Sequence, residues 1–336
     1  MTAAAIFGCA GTVLSDEERA FFGTVDPWGF ILFARNVESP DQVRALTAAL
    51  RESVGRDAPV LVDQEGGRVA RLRPPLWRGW SPALDTAAAA SLDEAERCEA
   101  LRLRYRMIGA ELAGVGIDVN CAPLLDIPVS GSHDIIGDRA LGRAADEVIG
   151  RARAVHDGLL DAGVLPVVKH VPGHGRAVAD SHEALPRVDA PLDALEATDF
   201  RPFAAFADAP LAMTAHIVYE ALDPERCATL SPTVIGHIRE RLGMTGLLMT
   251  DDLSMKALDG DFATRTTRAL DAGCDLVLHC NGDMGEMAAI AGAIRPLSPE
   301  AATRSERALA LRGGTAPDAA DAERYAALAI KGGFDA

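Results

Sequence analysis

No Cys-x-x-Cys pair occurs among the six cysteines of this chain, Cys9, Cys98, Cys121, Cys227, Cys274 and Cys280. That spacing gives no support to a zinc cluster or a disulfide framework. Several of the six sit in apolar runs and read as small core residues of a reducing compartment. No apolar run reaches the roughly 18 residues that a membrane-spanning helix needs. Cations are scarce: 33 Lys and Arg face 49 Asp and Glu, a formal charge of −16. Such a surface repels phosphates, which argues against a nucleic-acid partner. No Gly-x-Gly-x-x-Gly follows an apolar run, so a dinucleotide fold has no support. The opening stretch MTAAAIFGCAGTVLSDEER carries no cation before Arg19, so it lacks the charged start of a secretion signal. A soluble cytoplasmic protein without a membrane partner is expected.

Present instead is a repeated pattern. A helix-period segment ends in Gly and a short apolar run follows, as in ELAGVGIDVNCA, LLDAGVLPVVKH, RERLGMTGLLMTD and ALDAGCDLVLHC. Glycine can take the left-handed conformation that stops a helix. The runs that follow are rich in Val, Ile and Leu without polar alternation, as strands buried on both faces are. Ser39-Pro40 and Ser231-Pro232 mark helix starts, with an N-cap serine and proline at the first helical position. Strands are expected at Ala3–Cys9, Gly29–Ala34, Pro59–Asp63, Gly116–Cys121, Pro166–His170, Leu211–His216, Gly246–Asp251 and Asp275–Cys280. Eight such units alternating with helices predict an α/β fold, a (β/α)8 barrel of the TIM type. With no low-complexity linker, and 49% apolar residues to build a core, residues 1–336 read as a single catalytic domain.

Polar residues then fall at the C-terminal ends of the predicted strands: Asp63, Lys169 with His170, His216, Asp251 and His279. Barrel enzymes build their sites on that rim, although one such residue alone equally well bonds loop backbone. In VLVDQEGGRVARL a carboxylate, Asp63, precedes two glycines and then Arg68 and Arg71. A carboxylate accepts from neighbouring hydroxyls and an arginine donates in a fixed fork, which suits a polyhydroxylated ligand. A structural Asp–Arg pair is the competing interpretation. GSHDIIGDRALG contributes Asp138 and Arg139, and NCAPLLDI contributes Asp126, both as loop-ordering residues. In LLMTDDLSM, Asp252 reads as a cap for the next helix, whereas Asp251 would project toward the barrel axis and could be a nucleophile.

The stretch KHVPGHGRAVADSHEALP holds His170, His174 and His182, three of eight histidines. Metal binding is disfavoured, since no His-x-His lies on an early strand and the loop spacings match no helix-borne ligand set. Asp180 and His182 stand two apart, so in extended chain they share a face and the carboxylate could orient an acid/base imidazole. Gly173 and Gly175 would let that loop move over the rim.

With VDQEGGRVARL, GDRALG, KHVPGHGRAVADSH and MTDDLSM in this order, the chain resembles glycoside hydrolase family 3, in its single-domain bacterial β-N-acetylglucosaminidase branch. The resemblance covers most of the chain. It implies Asp251 as nucleophile, Asp180 with His182 as acid/base dyad, and Asp63, Arg71, Arg139, Lys169 and His170 as sugar-binding residues. It implies no cofactor and no metal, and a small carbohydrate or muropeptide substrate with a terminal β-linked N-acetylglucosamine. Two positions depart from the family pattern. Val171 stands where Phe is usual, and Ala140-Leu141 where Ser-Phe is usual, which bears on loop packing. A phosphorylase using the same residues, a zinc hydrolase on the same barrel and a non-catalytic sugar-binding protein are the alternatives. Arg68, Arg73 and Arg78, clustered in an otherwise acidic protein, offer one or more partners for a carboxylate of the leaving group.

Overall fold

Ala3–Gly8 is buried at every position, which suits an apolar run with no polar face to turn toward water. In the computed structural model it forms β1, the first stave of a barrel. The structure describes residues 1–129, 131, 134–177 and 184–335. The remaining staves are β2 (Pro27–Leu32), β3 (Val60–Val62), β4 (Val119–Asn120), β5 (Leu165–Val171), β6 (Leu211–Thr214), β7 (Leu247–Asp252) and β8 (Leu276–His279). Each pairs in parallel with its neighbours in sequence, and β8 closes onto β1. Phe7 of β1 shows the closure, lying opposite Phe30 of β2 on one side and His279 of β8 on the other. Every strand therefore ends on the same face of the barrel, and that shared direction gathers distant residues into one site.

Local sequence sets the return paths. Helix α1 (Asp16–Val25) opens with a capping box: Glu18 N donates to Ser15 Oγ at 3.1 Å and Ser15 N donates to Glu18 Oε2 at 3.0 Å, which satisfies two otherwise orphaned donors. Helix α2 (Pro40–Val54) starts as expected, with Gln42 N donating to Ser39 Oγ at 3.2 Å. Ser231 caps its own helix through Val234 N at 3.1 Å. The glycines of the repeated helix-to-strand motif, Gly116, Gly163, Gly243 and Gly273, all take left-handed φ values, from 74° to 109°. All six cysteines are free and five of them are buried. Among the described residues no helix is long and apolar enough to cross a membrane.

Three strands depart from expectation by more than one residue at an end, the other five by a single residue. The second strand begins at Pro27 and ends at Leu32, because Ala34–Asn36 already turns as a 3-10 helix. The fourth shrinks from Gly116–Cys121 to Val119–Asn120. There the Asn120 side chain replaces ladder bonds, accepting from Gln64 N and donating to Gln64 O, both at 3.0 Å. The sixth stops at Thr214 rather than His216. A small parallel pair outside the barrel, Arg187–Val188 with Val218–Tyr219, was not expected; two-residue strands leave no periodicity to read.

Aromatic packing holds α1 to the barrel. The Phe22 ring of α1 meets Phe30 of β2 at 5.0 Å, nearly perpendicular, and Phe7 of β1 at 6.4 Å. All three rings are fully buried. Phe22→Ala should cost about 3–5 kcal/mol of folding stability, since it leaves a cavity between helix and sheet. Urea unfolding measures this, and an unchanged midpoint would contradict the packing role.

Candidate active site

A cavity of about 320 Å³ opens at the C-terminal ends of the staves, lined by the tips of β5 and β7 and by residues from the loops after β2, β3, β4, β5 and β8. Its polar wall begins with Asp63, just beyond β3. Lys169 Nζ donates to Asp63 Oδ1 at 2.8 Å, and Arg71 Nη2 donates to Asp63 Oδ2 at 3.1 Å. Behind them lies Glu65, buried, which Lys169 Nζ also reaches at 2.7 Å. Arg139 grips Glu65 through both oxygens, Nε and Nη2 each at 2.9 Å. Burial alone would raise both carboxyl pKa values. For Asp63 the Lys169 and Arg71 charges outweigh it and hold the group well below the usual carboxylate range. For Glu65 the Arg139 and Lys169 charges outweigh it and bring the value to about 2. The carboxylates return the effect: burial disfavours the Lys169 ammonium, but Asp63 and Glu65 raise its pKa above the ordinary value. Asp63, Glu65 and Lys169 are thus all ionised at neutral pH.

Lys169 and His170 are consecutive on β5, yet both line the cavity. A regular strand would send them to opposite faces. Pairing between β5 and β6 slips between Lys169 and Val171, and such an irregularity re-aims a side chain. His170 Nδ1 then meets Asp126 Oδ2 at 2.8 Å, and Asp126 also accepts from His174 N at 2.6 Å. With Nδ1 engaged, Nε2 of His170 is the nitrogen left to a ligand. Burial pushes the His174 imidazole down to about 4, with the neighbouring His170 acting in the same direction.

At the tip of β7, Asp251 lines the cavity and its Oδ1 accepts from Asp252 N at 2.8 Å. Asp252 does not cap a helix, as the sequence had suggested. Its carboxylate accepts from Ser254 N at 3.0 Å and from Cys280 N at 3.2 Å, tying the ends of β7 and β8 together. The following helix, Phe262–Ala272, is capped by Asp261 instead. His216 is wholly buried and holds the tip of β7: its Nε2 lies 3.0 Å from Asp252 O and its Nδ1 lies 2.7 Å from Thr229 Oγ1.

Asp63, Arg71, Arg139, Lys169, His170 and Asp251 thus share one cavity. Asp180 and His182 lie outside the described residues. Two of the strand-end histidines do not converge. His216 is engaged with Thr229 and the Asp252 carbonyl off the cavity lining, and His279 turns outward against Phe7 and Phe262 at 6.4 and 5.5 Å. Glu65 was missed, although a signal existed: Arg139 and Lys169 needed a second anion once Asp63 was shared with Arg71. Asp126, read as a loop-ordering residue, orients His170. Arg73 and Arg78 do not line the cavity. Arg73 Nε donates to Ala70 O at 2.8 Å, and Arg78 stacks over Trp80 at 4.4 Å. Arg68 lines it, paired with Asp138 at 2.8 Å.

Two glycines are needed by contact. A Cβ on Gly66, whose φ is 97°, would strike the Arg104 guanidinium and come within 2.8 Å of Ser81 O. A Cβ on Gly175 would overlap the Ile127 carbonyl. Gly175, expected to supply freedom, instead permits close packing beside Asp126. Among the described residues, no group of three His, Cys, Asp or Glu is arranged to hold a metal ion.

Residues 15–309 match the model of the glycosyl hydrolase family 3 N terminal domain. The chain belongs to glycosyl hydrolase family 3. It is a glycoside hydrolase, and its barrel matches those of the family. A Beta-hexosaminidase of Methylococcus capsulatus is 41% identical over 283 residues, covering 82% of each chain. Another of Alkalilimnicola ehrlichii is 40% identical over 284 residues, covering 82% of this chain and 80% of its own. Among solved structures, NagZ from Neisseria gonorrhoeae in complex with zinc ion superposes with a TM-score of 0.87 at 26% identity, over 98% of both chains. The same protein in complex with N-trifluoroacetyl-D-glucosamine gives 0.86 at 27% identity, over 100% of this chain and 98% of its own.

The charge cluster makes this family 3 enzyme sensitive to acid, and the sign follows from the two shifts. Unfolding returns His174 to about 6.5 and Glu65 to about 4.5, so the unfolded chain binds protons that the native chain refuses. Stability is therefore complete above pH 6.5, falls as pH drops toward 4 through His174, and falls further between 4.5 and 2 through Glu65. Denaturation midpoints across this range measure it. Glu65→Gln should be less stable at neutral pH, because the buried Lys169 and the largely covered Arg139 lose a partner, and should show a shallower decline below pH 4.5. A midpoint independent of pH would contradict the burial of these groups.

Proposed function

We propose that the enzyme is a retaining, exo-acting β-N-acetylhexosaminidase that releases terminal β-linked N-acetylglucosamine. The observation that carries this reading is the joint lining of one cavity by Asp251, Asp63, Arg71, Arg139, Lys169 and His170, in a chain whose relatives bear the name Beta-hexosaminidase. The volume lies at the small end of ligand pockets, as suits a single sugar ring bound from its non-reducing end. Asp63, Arg71, Arg139, Lys169 and His170 hold the ring hydroxyls. Each of these groups already has a partner within the protein, Arg139 in Glu65 and His170 in Asp126, so a neutral sugar meets directed donors and acceptors.

Asp251 then attacks the anomeric carbon while His182, oriented by Asp180, protonates the departing oxygen. The glycosidic C–O bond breaks as the C–O bond to Asp251 forms. In the second step neutral His182 takes a proton from water, and that water displaces Asp251 and releases the sugar. Most retaining glycosidases use two carboxylates. A neutral imidazole in place of one of them adds no second anion beside the incoming nucleophile. Residues 1–336 act as one catalytic unit, without cofactor or metal. The natural substrate is a cell-wall muropeptide fragment in which N-acetylglucosamine is joined to anhydro-N-acetylmuramic acid, recycled in the cytoplasm.

Asp251→Asn should abolish turnover. His182→Ala should lose several orders of magnitude on substrates with poor leaving groups and recover most of its glycosylation rate on those with good ones. A 5-fluoro glycosyl fluoride should label Asp251, read by peptide mass mapping. Label on another carboxylate, or full activity in Asp251→Asn, would end the assignment. Product analysis with and without phosphate distinguishes hydrolysis from phosphorolysis.

A further inference from the structure

Strand β7 carries Asp251 past the end of its regular ladder. Pairing with β6 ends where Met213 faces Met249. Pairing with β8 slips between Met249, opposite Leu276, and Asp252, opposite Leu278, so β7 spends one residue more than β8. A bulge of this kind breaks the ladder and re-aims the side chains it contains, and Asp251 lies inside it. Side chains supply the missing bonds. On the β8 side, Leu278 N donates to Thr250 Oγ1 at 2.9 Å and Cys280 N to Asp252 Oδ1 at 3.2 Å. On the β6 side the bond comes from His216, whose Nε2 lies 3.0 Å from Asp252 O.

The hydrogen atoms along this contact can be placed. Burial holds the His216 imidazole below its ordinary value, against the opposing charge of Asp251, so the ring is neutral at neutral pH and carries one N–H. A carbonyl only accepts, so that hydrogen sits on Nε2 and points at Asp252 O, which also accepts from Met255 N at 3.2 Å. Nδ1 must then accept. Thr229 has one hydroxyl hydrogen, and Nδ1 at 2.7 Å takes it ahead of Ala215 O at 3.1 Å. Thr214, with its Oγ1 2.8 Å from Thr229 Oγ1, donates in turn. All three side chains are fully buried. A directed relay therefore runs from Thr214 through Thr229 and His216 to the backbone of Asp252. The N–H of that same residue donates to Asp251 Oδ1 at 2.8 Å, so any displacement of Asp252 displaces the Asp251 carboxylate.

We propose that His216, held by Thr214 and Thr229 in its Nε2–H tautomer, is a positioning residue for the nucleophile, fixing the height and angle of Asp251 where the β7 ladder fails. It lies off the cavity lining, so its effect falls on the chemical step and leaves sugar binding unchanged. The inference rests on the reading of Asp251 as nucleophile and adds what aims it.

The test follows the rate at which the 5-fluoro glycosyl fluoride labels Asp251. His216→Phe keeps a ring but cannot donate; its maximal labelling rate and kcat should both fall by about tenfold to a hundredfold. Product inhibition by N-acetylglucosamine should stay as in wild type. His216→Gln, whose amide N–H can replace Nε2–H, should recover part of the rate. Thr229→Val, which trades a hydroxyl for a methyl and releases the tautomer, should also slow labelling, and it decides the matter if His216→Phe does not fold. Nitrogen NMR of histidine-labelled protein, with the His216 signals identified by their loss in His216→Gln, should show the Nε2–H tautomer. Labelling at the wild-type rate in His216→Phe or Thr229→Val overturns the proposal, as does the Nδ1–H tautomer. A general loosening of the barrel would weaken product binding along with labelling and leave His216→Gln no better than His216→Phe, which overturns it too. Label on a different carboxylate in wild type would instead sink the reading of Asp251 on which the proposal stands.

Discussion

Two carboxylates, Asp63 and the buried Glu65, and three cations meet where β3, β4 and β5 end, and the geometry of the whole mouth follows from how they share partners. Lys169 is nearly inaccessible, with 3% of its side chain exposed, and an ammonium in such a place is tolerated only when paired and hydrogen-bonded. It reaches Asp63 and Glu65 at once, and Glu65 in turn fixes Arg139 through both oxygens. Shifting any one stave would strand a charge in a low-dielectric setting. The cluster therefore locks the relative heights of three loops, which hydrophobic packing alone, being non-directional, would leave less sharply defined.

Around this core lies a second tier that holds backbone rather than ligand. Asp126 gathers His170 and the amide of His174. His216 and the Asp252 carboxylate brace the tips of β7 and β8. Under the β3 loop, Arg104 is wholly buried and donates to Ser81 O, while Ser81 N donates to Asp335 Oδ1 at 2.6 Å. Tyr105 donates to Glu65 O at 2.8 Å. Gly66 permits this packing, because a side chain there would occupy the guanidinium's place. Rigid support of this kind lets a site hold its groups at fixed distances before the ligand arrives.

The same arrangement suits a neutral, hydroxyl-rich ligand. Each charged group on the sugar wall has its counter-charge within the protein, so what remains for a ligand is direction: spare lone pairs of Asp63, a remaining N–H of Lys169 and Nε2 of His170.

Much of this was written in linear order. Eight apolar runs, each after a helix-period segment and a glycine, specify a closed parallel barrel because buried strands cannot alternate and because helices need a stop. The strand-end positions of Asp63, Lys169, His170 and Asp251 follow, since parallel closure points all C-terminal ends one way. What sequence could not decide was which strand-end groups face the axis. His216 and His279 occupy equivalent positions in the pattern, yet one props β7 and the other packs outward, because facing depends on register and on the slip between β5 and β6. Pairing was likewise invisible. Glu65 and Asp126 owe their roles to neighbours tens of residues or more away, and only the closed barrel brings those neighbours within hydrogen-bond reach.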